Sequence, residues 1–274
     1  MKILITGGNG NIAKMIFKNL SSIYDITSLS RKELDVYNFN EVKTYLEENS
    51  FDILVHTAIL GGRRIKDENN ETTHINLIML ENLLKFSDKF KMIINFDSAA
   101  IYDRSTDILN RKENELYTVP SDYYGFSKYV IYQRSLQYNN FFNYRIFNIF
   151  HPNEESDRFI KSCFLAKKDN KEVTIFEDKY FDFVYEDDFI KVVKYYFDNC
   201  NKQENLEKTI NICYKEKYKL SDIAKLIIDN DSKIIINKNI SNNNYSGDNS
   251  LISNLKLDFI GLKGSLKIYK NKIL

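Results

Sequence analysis

The 274-residue chain has three cysteines, two prolines and no tryptophan, and its charges almost cancel. Cys163, Cys200 and Cys213 are odd in number, widely spaced and never in a CxxC arrangement, which excludes a disulfide framework and a zinc site built on paired cysteines. A reducing compartment is expected. With 39 basic against 38 acidic side chains, no whole-molecule field favours nucleic acid or an anionic membrane, so the expected partner is a small molecule. No run of about 18 apolar residues occurs. Nor does a charged leader precede the first apolar segment, because "KILIT" reads directly as a strand. The chain therefore reads as soluble and cytoplasmic, without a metal site. The asparagine-rich "NKNISNNNYSGDNS" approaches low complexity and carries no functional weight.

What is present is alternation. Apolar runs rich in β-branched residues alternate with segments of helical period, the pattern of parallel βαβ units. Strands are expected at Lys2–Thr6, Asp25–Leu29, Ile53–His56, Met92–Phe96 and Tyr144–Phe147. Helices are expected near Asn11–Leu20, Asn40–Glu48, Thr72–Phe86 and Tyr123–Tyr138. Pro152 marks an exit from this pattern. Beyond it come a helix around Arg158–Lys167, a strand "EVTIF", and a helix at "DIAKLIID" for which Ser221 is a reasonable N-cap. The expected fold is α/β, a Rossmann-type doubly wound parallel sheet with a smaller, interleaved substrate lobe. Residues 1–152 and parts of 182–213 would form the nucleotide-binding domain, and 153–181 with 214–274 the lobe.

In "TGGNGNIA", Gly7, Gly10 and Ala13 follow a strand and open a helix, the context of the dinucleotide fingerprint. Gly7 would allow the tight turn, Gly10 the approach of a pyrophosphate, and Ala13 close packing of helix on strand. The phosphate would face the first helical N–H groups, at Asn11 and Ile12. The alternative is a glycine-rich turn without a ligand. Where folds preferring NAD carry an acid after the second strand, "LSRKE" places Ser30, Arg31 and Lys32. A guanidinium and a hydroxyl suit a 2′-phosphate, so the cofactor expected is NADP(H), unless these are solvated loop charges.

Tyr124 and Lys128 in "YYGFSK" stand four apart on an expected helix and so share a face. A phenol of pKa about 10 is a poor proton donor near neutrality, and an adjacent ammonium stabilises its anion. Ser98 in "NFDSAAIYD" follows the fourth strand, where a hydroxyl can bond a reacting oxygen.

With these motifs in place, the chain resembles the extended short-chain dehydrogenase/reductases. It is similar in particular to the nucleotide-sugar branch that holds the GDP-L-fucose synthases and other nucleotide-4-keto-sugar reductases. "ELDVYNFNEV", "FDILVHTAILGG", "HINLIMLENLL", "INFDSAAIY", "YYGFSK", "RIFNIFHP", "FDFVYEDD", "KYKLSDIAKLI" and "SNLKLDFIGLK" carry the resemblance in order over nearly the whole chain. It implies that Tyr124 is the general acid protonating a keto oxygen. It implies further that Lys128 holds the nicotinamide ribose and tunes Tyr124, and that Ser98 orients the carbonyl. Asp35 and Val36 would lie by the adenine and Ala58 and Leu60 along the cofactor. Asn148 would lie near nicotinamide and substrate, with Ala99 and Arg158 as further substrate contacts. The branch also implies a homodimer through the helices near Thr72–Phe86 and Tyr123–Tyr138.

The departures from the branch narrow the reaction. The fucose synthases epimerise two carbons before reduction, using a cysteine shortly after the catalytic serine and a histidine in the helix after the fifth strand. Ala100 and Arg158 stand at those positions here, and neither is a proton shuttle at neutral pH. The arginine that often touches the diphosphate is replaced by Phe181, leaving Arg158, Lys161 or another base for that task. The activity expected is NADPH-dependent reduction of the C4 keto group of a nucleotide-activated sugar, GDP-linked by the likeness of "AILGG" and its surroundings, without epimerisation at C3 or C5. A C4 epimerase with retained cofactor and a non-catalytic NADP(H)-sensing regulator are the alternatives. A 4,6-dehydratase generally needs an acidic pair beside the serine, where this chain has Asp97 on one side and Ala99 and Ala100 on the other. His56 and His74 are expected to be structural, and His151, although within reach of a pocket mouth, stands where the resemblance implies a backbone turn.

Overall fold

A computed structural model of the chain describes residues 1–62, 68–237 and 243–273, so part of the asparagine-rich run falls outside them. The first half runs β1 (Lys2–Thr6), α1 (Asn11–Leu20), β2 (Asp25–Leu29), α2 (Phe39–Glu48), β3 (Ile53–His56), α3 (Asn70–Leu84), β4 (Met92–Ser98), β5 (Ile108–Arg111), α4 (Tyr123–Ser135) and β6 (Phe141–Ile146). The second half runs β7 (Ile149–Phe150), α5 (Phe159–Lys168), β8 (Val173–Ile175), β9 (Val184–Tyr185), α6 (Glu186–Asp198), β10 (Thr209–Ile212), α7 (Leu220–Ile227), β11 (Ile234–Ile236), β12 (Tyr245–Gly247), α8 (Ser250–Asn254) and α9 (Gly261–Ile273). Helix ends follow local chemistry: Asn38 caps α2, Asn69 caps α3 and Asp122 caps α4, each accepting first-turn N–H groups.

Among the described residues, the parallel central sheet has the order β10-β6-β4-β3-β1-β2. Register pairs Ile3 with Ile26 on one side and with Ile53 on the other. β1, β3 and β4 carry buried apolar residues on both faces, as a sheet covered by helices on each side requires. One face packs Leu4, Leu54 and Ile93 against Val42 of α2, Leu80 and Leu83 of α3, and Ile131 of α4. On β6, Phe142 and Tyr144 meet the Tyr196 ring of α6 edge-on. The strand order reverses between β1 and β3, and in open α/β sheets ligands bind outside the carboxyl ends of the strands at such a reversal.

The chain divides into two compact units. The first comprises residues 1–103, 116–145 and 190–210 and holds most of the central sheet with α1 to α4. The second comprises 104–115, 146–189 and 211–274. It holds the strand pairs β5–β12, β7–β9 and β8–β11, all parallel. Its Asp188 carboxylate accepts the Ile260 and Gly261 N–H groups at the start of α9 and a bond from the Tyr214 hydroxyl at 2.7 Å.

Ser221 is not the cap of α7. It lies inside the first turn, and its hydroxyl donates to Asp178 at 2.9 Å. The Lys219 N–H at the helix entry is instead bound by the Asp222 carboxylate at 3.1 Å. A carboxylate on each side of the serine has taken over the work its hydroxyl would have done.

Candidate active site

The glycine turn closes at the end of β1. Gly7 has φ +76°, and a Cβ there would lie 2.7 Å from the Ala58 backbone nitrogen, so only glycine fits between the ends of β1 and β3. Gly10 enters α1 in extended geometry, no side chain among the described residues caps the helix, and no acid occupies its first turn. The open N–H groups at Asn11 and Ile12 therefore suit an anion.

At the end of β2, Arg31 is 81% exposed, with its Nε 3.2 Å from Asp35. Such a surface ion pair is weak and leaves the guanidinium able to take a phosphate. Sequence reasoning missed Glu33. Its carboxylate accepts both the Ser30 N–H at 2.8 Å and the Ser30 hydroxyl at 2.7 Å, and these bonds hold it below its usual pKa. The signal was the S-x-x-E spacing of "SRKE", which is that of a capping box. Val36 belongs to the apolar core, with its carbonyl bound by Asn82. Ala58 follows β3, and Leu60 beyond it is held at both backbone polar groups by the buried Asn76 of α3. Asn76 also donates to Ser127 of α4. It too was missed, although an asparagine amid the apolar "HINLIML" is a visible anomaly.

The candidate proton-transfer residues gather at the end of β4. Ser98 is half-buried, and its Oγ accepts the Ala100 N–H at 3.2 Å, which leaves the hydroxyl proton to be donated. Ala99 is fully buried. Tyr124 occupies the first turn of α4, with its N–H on Glu68 at 3.3 Å. Lys128, one turn on, places Nζ 5.7 Å from the centre of the Tyr124 ring and donates to the Phe96 carbonyl at 2.5 Å. Lys128 is 3% exposed, and burial pushes its ammonium down to about 8 against the opposing pull of Asp97.

Helix α4 approaches this centre through Gly125. A Cβ there would meet the Ala100 carbonyl oxygen and the Pro120 Cβ, each at 2.8 Å. The glycine in "YYGFSK" thus lets the tyrosine–lysine helix lie directly on the turn after the serine.

His56 bonds Thr6 at 2.8 Å, and burial pushes it down to about 3, so it stays neutral. The exposed His74 meets the Tyr37 hydroxyl at 3.4 Å, and His151 is buried in the second unit. Asn148 and Arg158 also belong to the second unit. There the Asn148 backbone carbonyl accepts from Val184, the buried Asn148 Oδ1 has no hydrogen-bond partner among the described residues, and Arg158 precedes α5 with Nε 3.8 Å from Glu154. The Phe181 ring packs at a tilt against the rings of Phe183 and Tyr245.

The family model of the NAD dependent epimerase/dehydratase family matches residues 3–213. The chain belongs to that family. It is an NAD(P)-dependent oxidoreductase of the extended short-chain type. A GDP-L-colitose synthase of Yersinia pseudotuberculosis is 30% identical over 112 residues, which is 39% of this chain and 36% of that protein. Among solved structures, the GDP-mannoheptose C4 reductase of Campylobacter jejuni with NADP bound superposes with TM-score 0.81. It is 21% identical, with 99% of this chain and 97% of that one covered. A dTDP-4-dehydrorhamnose reductase of Clostridium acetobutylicum gives TM-score 0.82 at 20% identity, covering 99% of each chain. At these identities the structural likeness speaks for the fold. Among the described residues, no helix is long and apolar enough to cross a membrane.

Proposed function

We propose that this protein uses NADPH to reduce the C4 keto group of a nucleotide-activated, GDP-linked sugar in the cytoplasm, without epimerisation at C3 or C5. The observation that carries the reading is the buried Lys128 one turn beyond Tyr124, on a helix laid against the Ser98 turn. The uncapped N-terminus of α1, the Gly7 turn and the exposed Arg31 fit a dinucleotide with a 2′-phosphate. The GDP-linked choice is supported by the Yersinia and Campylobacter proteins, each named for a GDP-sugar. The Clostridium enzyme is the reason to include dTDP-sugars in the test.

Bound NADPH supplies the hydride. The protein's own part is proton chemistry. Ser98 donates a hydrogen bond to the carbonyl oxygen and holds it beside Tyr124. Tyr124 gives its phenolic proton to that oxygen as negative charge develops there. The Lys128 ammonium stabilises the phenolate left behind, and solvent then returns the proton. Epimerisation would need an acid–base pair on the flanking carbons. The two relevant positions hold Ala100, which is buried, and Arg158, whose guanidinium offers donors and no acceptor. We also infer a homodimer through α3 and α4, which pack together and leave Tyr123 and Phe126 exposed; the mass in solution tests it.

The test is loss of NADPH absorbance on mixing with GDP-, dTDP- and UDP-4-keto sugars. Oxidation with the GDP-sugar, abolished in Tyr124→Phe without loss of NADPH binding, is expected. Undiminished turnover by Tyr124→Phe contradicts the reading, and interconversion at C4 with no net oxidation makes the protein an epimerase.

A further inference from the structure

Beneath the catalytic serine lies an ion pair with no exposure to solvent. The Arg145 Nε, on β6, donates to Asp97 Oδ2 at 2.8 Å, and both side chains are 0% exposed. The same guanidinium donates through Nη1 to the Tyr102 hydroxyl at 2.7 Å. Asp97 and Tyr102 bracket the segment that contains Ser98 and the turn Ala99–Tyr102. The second Asp97 oxygen accepts the Ser98 N–H at 2.8 Å. One arginine on a neighbouring strand thereby ties down both ends of the segment carrying the serine. Its guanidinium also lies 5.1 Å from the centre of the Tyr132 ring, on α4 one turn past Lys128.

Burying both charges costs more desolvation than a well-packed apolar pair, so stability alone is a weak reason for such a pair. Its position offers a better one. We propose that Asp97 and Arg145, with Tyr102, form a positioning device for the proton-transfer site: they fix Ser98, and the Asp97 charge holds the Lys128 ammonium. The proposal rests on the keto-reductase reading for its kinetics and goes beyond it in assigning these residues.

The electrostatic part follows from what faces Lys128. His56 on β3 is neutral, Tyr124 lies on its own helix, and β4 contributes the Phe96 carbonyl and the Asp97 carboxylate. Burial favours loss of the ammonium proton, and Asp97 opposes it. Neutralising Asp97 therefore moves the Lys128 titration to lower pH.

The experiment follows the Lys128 side-chain carbon by NMR in lysine-labelled protein, with the resonance assigned by its loss in Lys128→Met, alongside kcat and KM as functions of pH. In Asp97→Asn the Lys128 titration and the alkaline limb of kcat both move to lower pH. In addition kcat falls about 10–100-fold, the scale expected when reacting groups are misplaced by up to an ångström. Tyr102→Phe keeps both charges, so it lowers kcat and leaves the titration in place. Should Asp97→Asn fail to fold, Asp97→Leu/Arg145→Met replaces the whole pair with apolar groups and carries the same expectations. A folded double variant with the titration and kcat of the wild type overturns the proposal. The titration needs no substrate, so a wild-type protein inactive on every keto sugar counts against the keto-reductase reading and leaves the NMR shift to decide the role of Asp97.

Discussion

Gly125→Ala separates close packing from helix propensity, because the two act in opposite directions. In a helix, alanine is favoured over glycine by about 1 kcal/mol. The new Cβ, however, would sit 2.8 Å from both the Ala100 carbonyl oxygen and the Pro120 Cβ, and 3.0 Å from Asp122 Oδ2. Two of these obstacles cannot swing away, since one is backbone and the other a proline ring. Reaching ordinary van der Waals contact requires α4 to retreat by about half an ångström or more. Overpacking of this kind costs about 1–3 kcal/mol, so net stability falls by about 0–2 kcal/mol. The larger effect is kinetic. Tyr124 is the adjacent residue and moves with the helix away from Ser98. Since a 1 Å misplacement can cost about 100-fold, kcat should fall about tenfold while the Kd for NADPH changes little. Denaturant unfolding, NADPH fluorescence titration and steady-state kinetics measure the three quantities. A variant about 1 kcal/mol more stable than wild type with undiminished kcat would refute the argument that Gly125 sets the tyrosine–serine geometry.

Three further outcomes are expected. Arg31→Ala should weaken NADPH binding about 10–100-fold, the value of a charge-assisted contact, and leave NADH binding unchanged; equal losses for both cofactors would remove Arg31 from the 2′-phosphate site. Because the Lys128 ammonium is lost as pH rises through about 8, kcat should decline above that pH, and a profile flat to pH 10 would show that its charge is not needed. Burial pushes the Glu154 carboxyl up to about 7, so the folded state keeps a proton that the unfolded chain releases near its ordinary pKa. Stability is therefore lost as pH rises toward 7, and Glu154→Gln should gain about 1–3 kcal/mol at pH 8 and nothing at pH 4 in denaturant unfolding.

The elements that position the cofactor motif were legible because their signals are local. β1, β2, β3 and α1 carry apolar runs or helical periods bounded by turn residues, and their ends coincide with the sequence reading. Tyr124 and Lys128 stand out in the sequence because residues four apart on a helix share a face, and Ser98 because it stands at the end of the fourth strand. Long-range pairing left no such trace. β5 joins β12, pairing Ile108 with Tyr245, and nothing near residue 108 announces a partner so distant in the chain. β6 begins at Phe141 rather than Tyr144 because Asn143 and Arg145, which break the apolar run, are satisfied inside the sheet by Asn95, Ser135 and Asp97. A charge within a buried strand was itself the signal for the Asp97–Arg145 pair, legible only once β4 and β6 are known to be neighbours. Ser221 illustrates the reverse: a good capping residue was outcompeted by carboxylates at Asp178 and Asp222.

The measurement that bears most directly on the central claim is NMR of the product formed from the GDP-4-keto sugar and unlabelled NADPH in D2O. Proton abstraction at C3 or C5 would exchange hydrogen with solvent, whereas simple reduction brings the C4 hydrogen from the cofactor. The account predicts stoichiometric NADPH oxidation and a single C4 alcohol with ordinary hydrogen at C3, C4 and C5. Enzyme-dependent deuterium at C3 or C5, or product formed without NADPH oxidation, would contradict it.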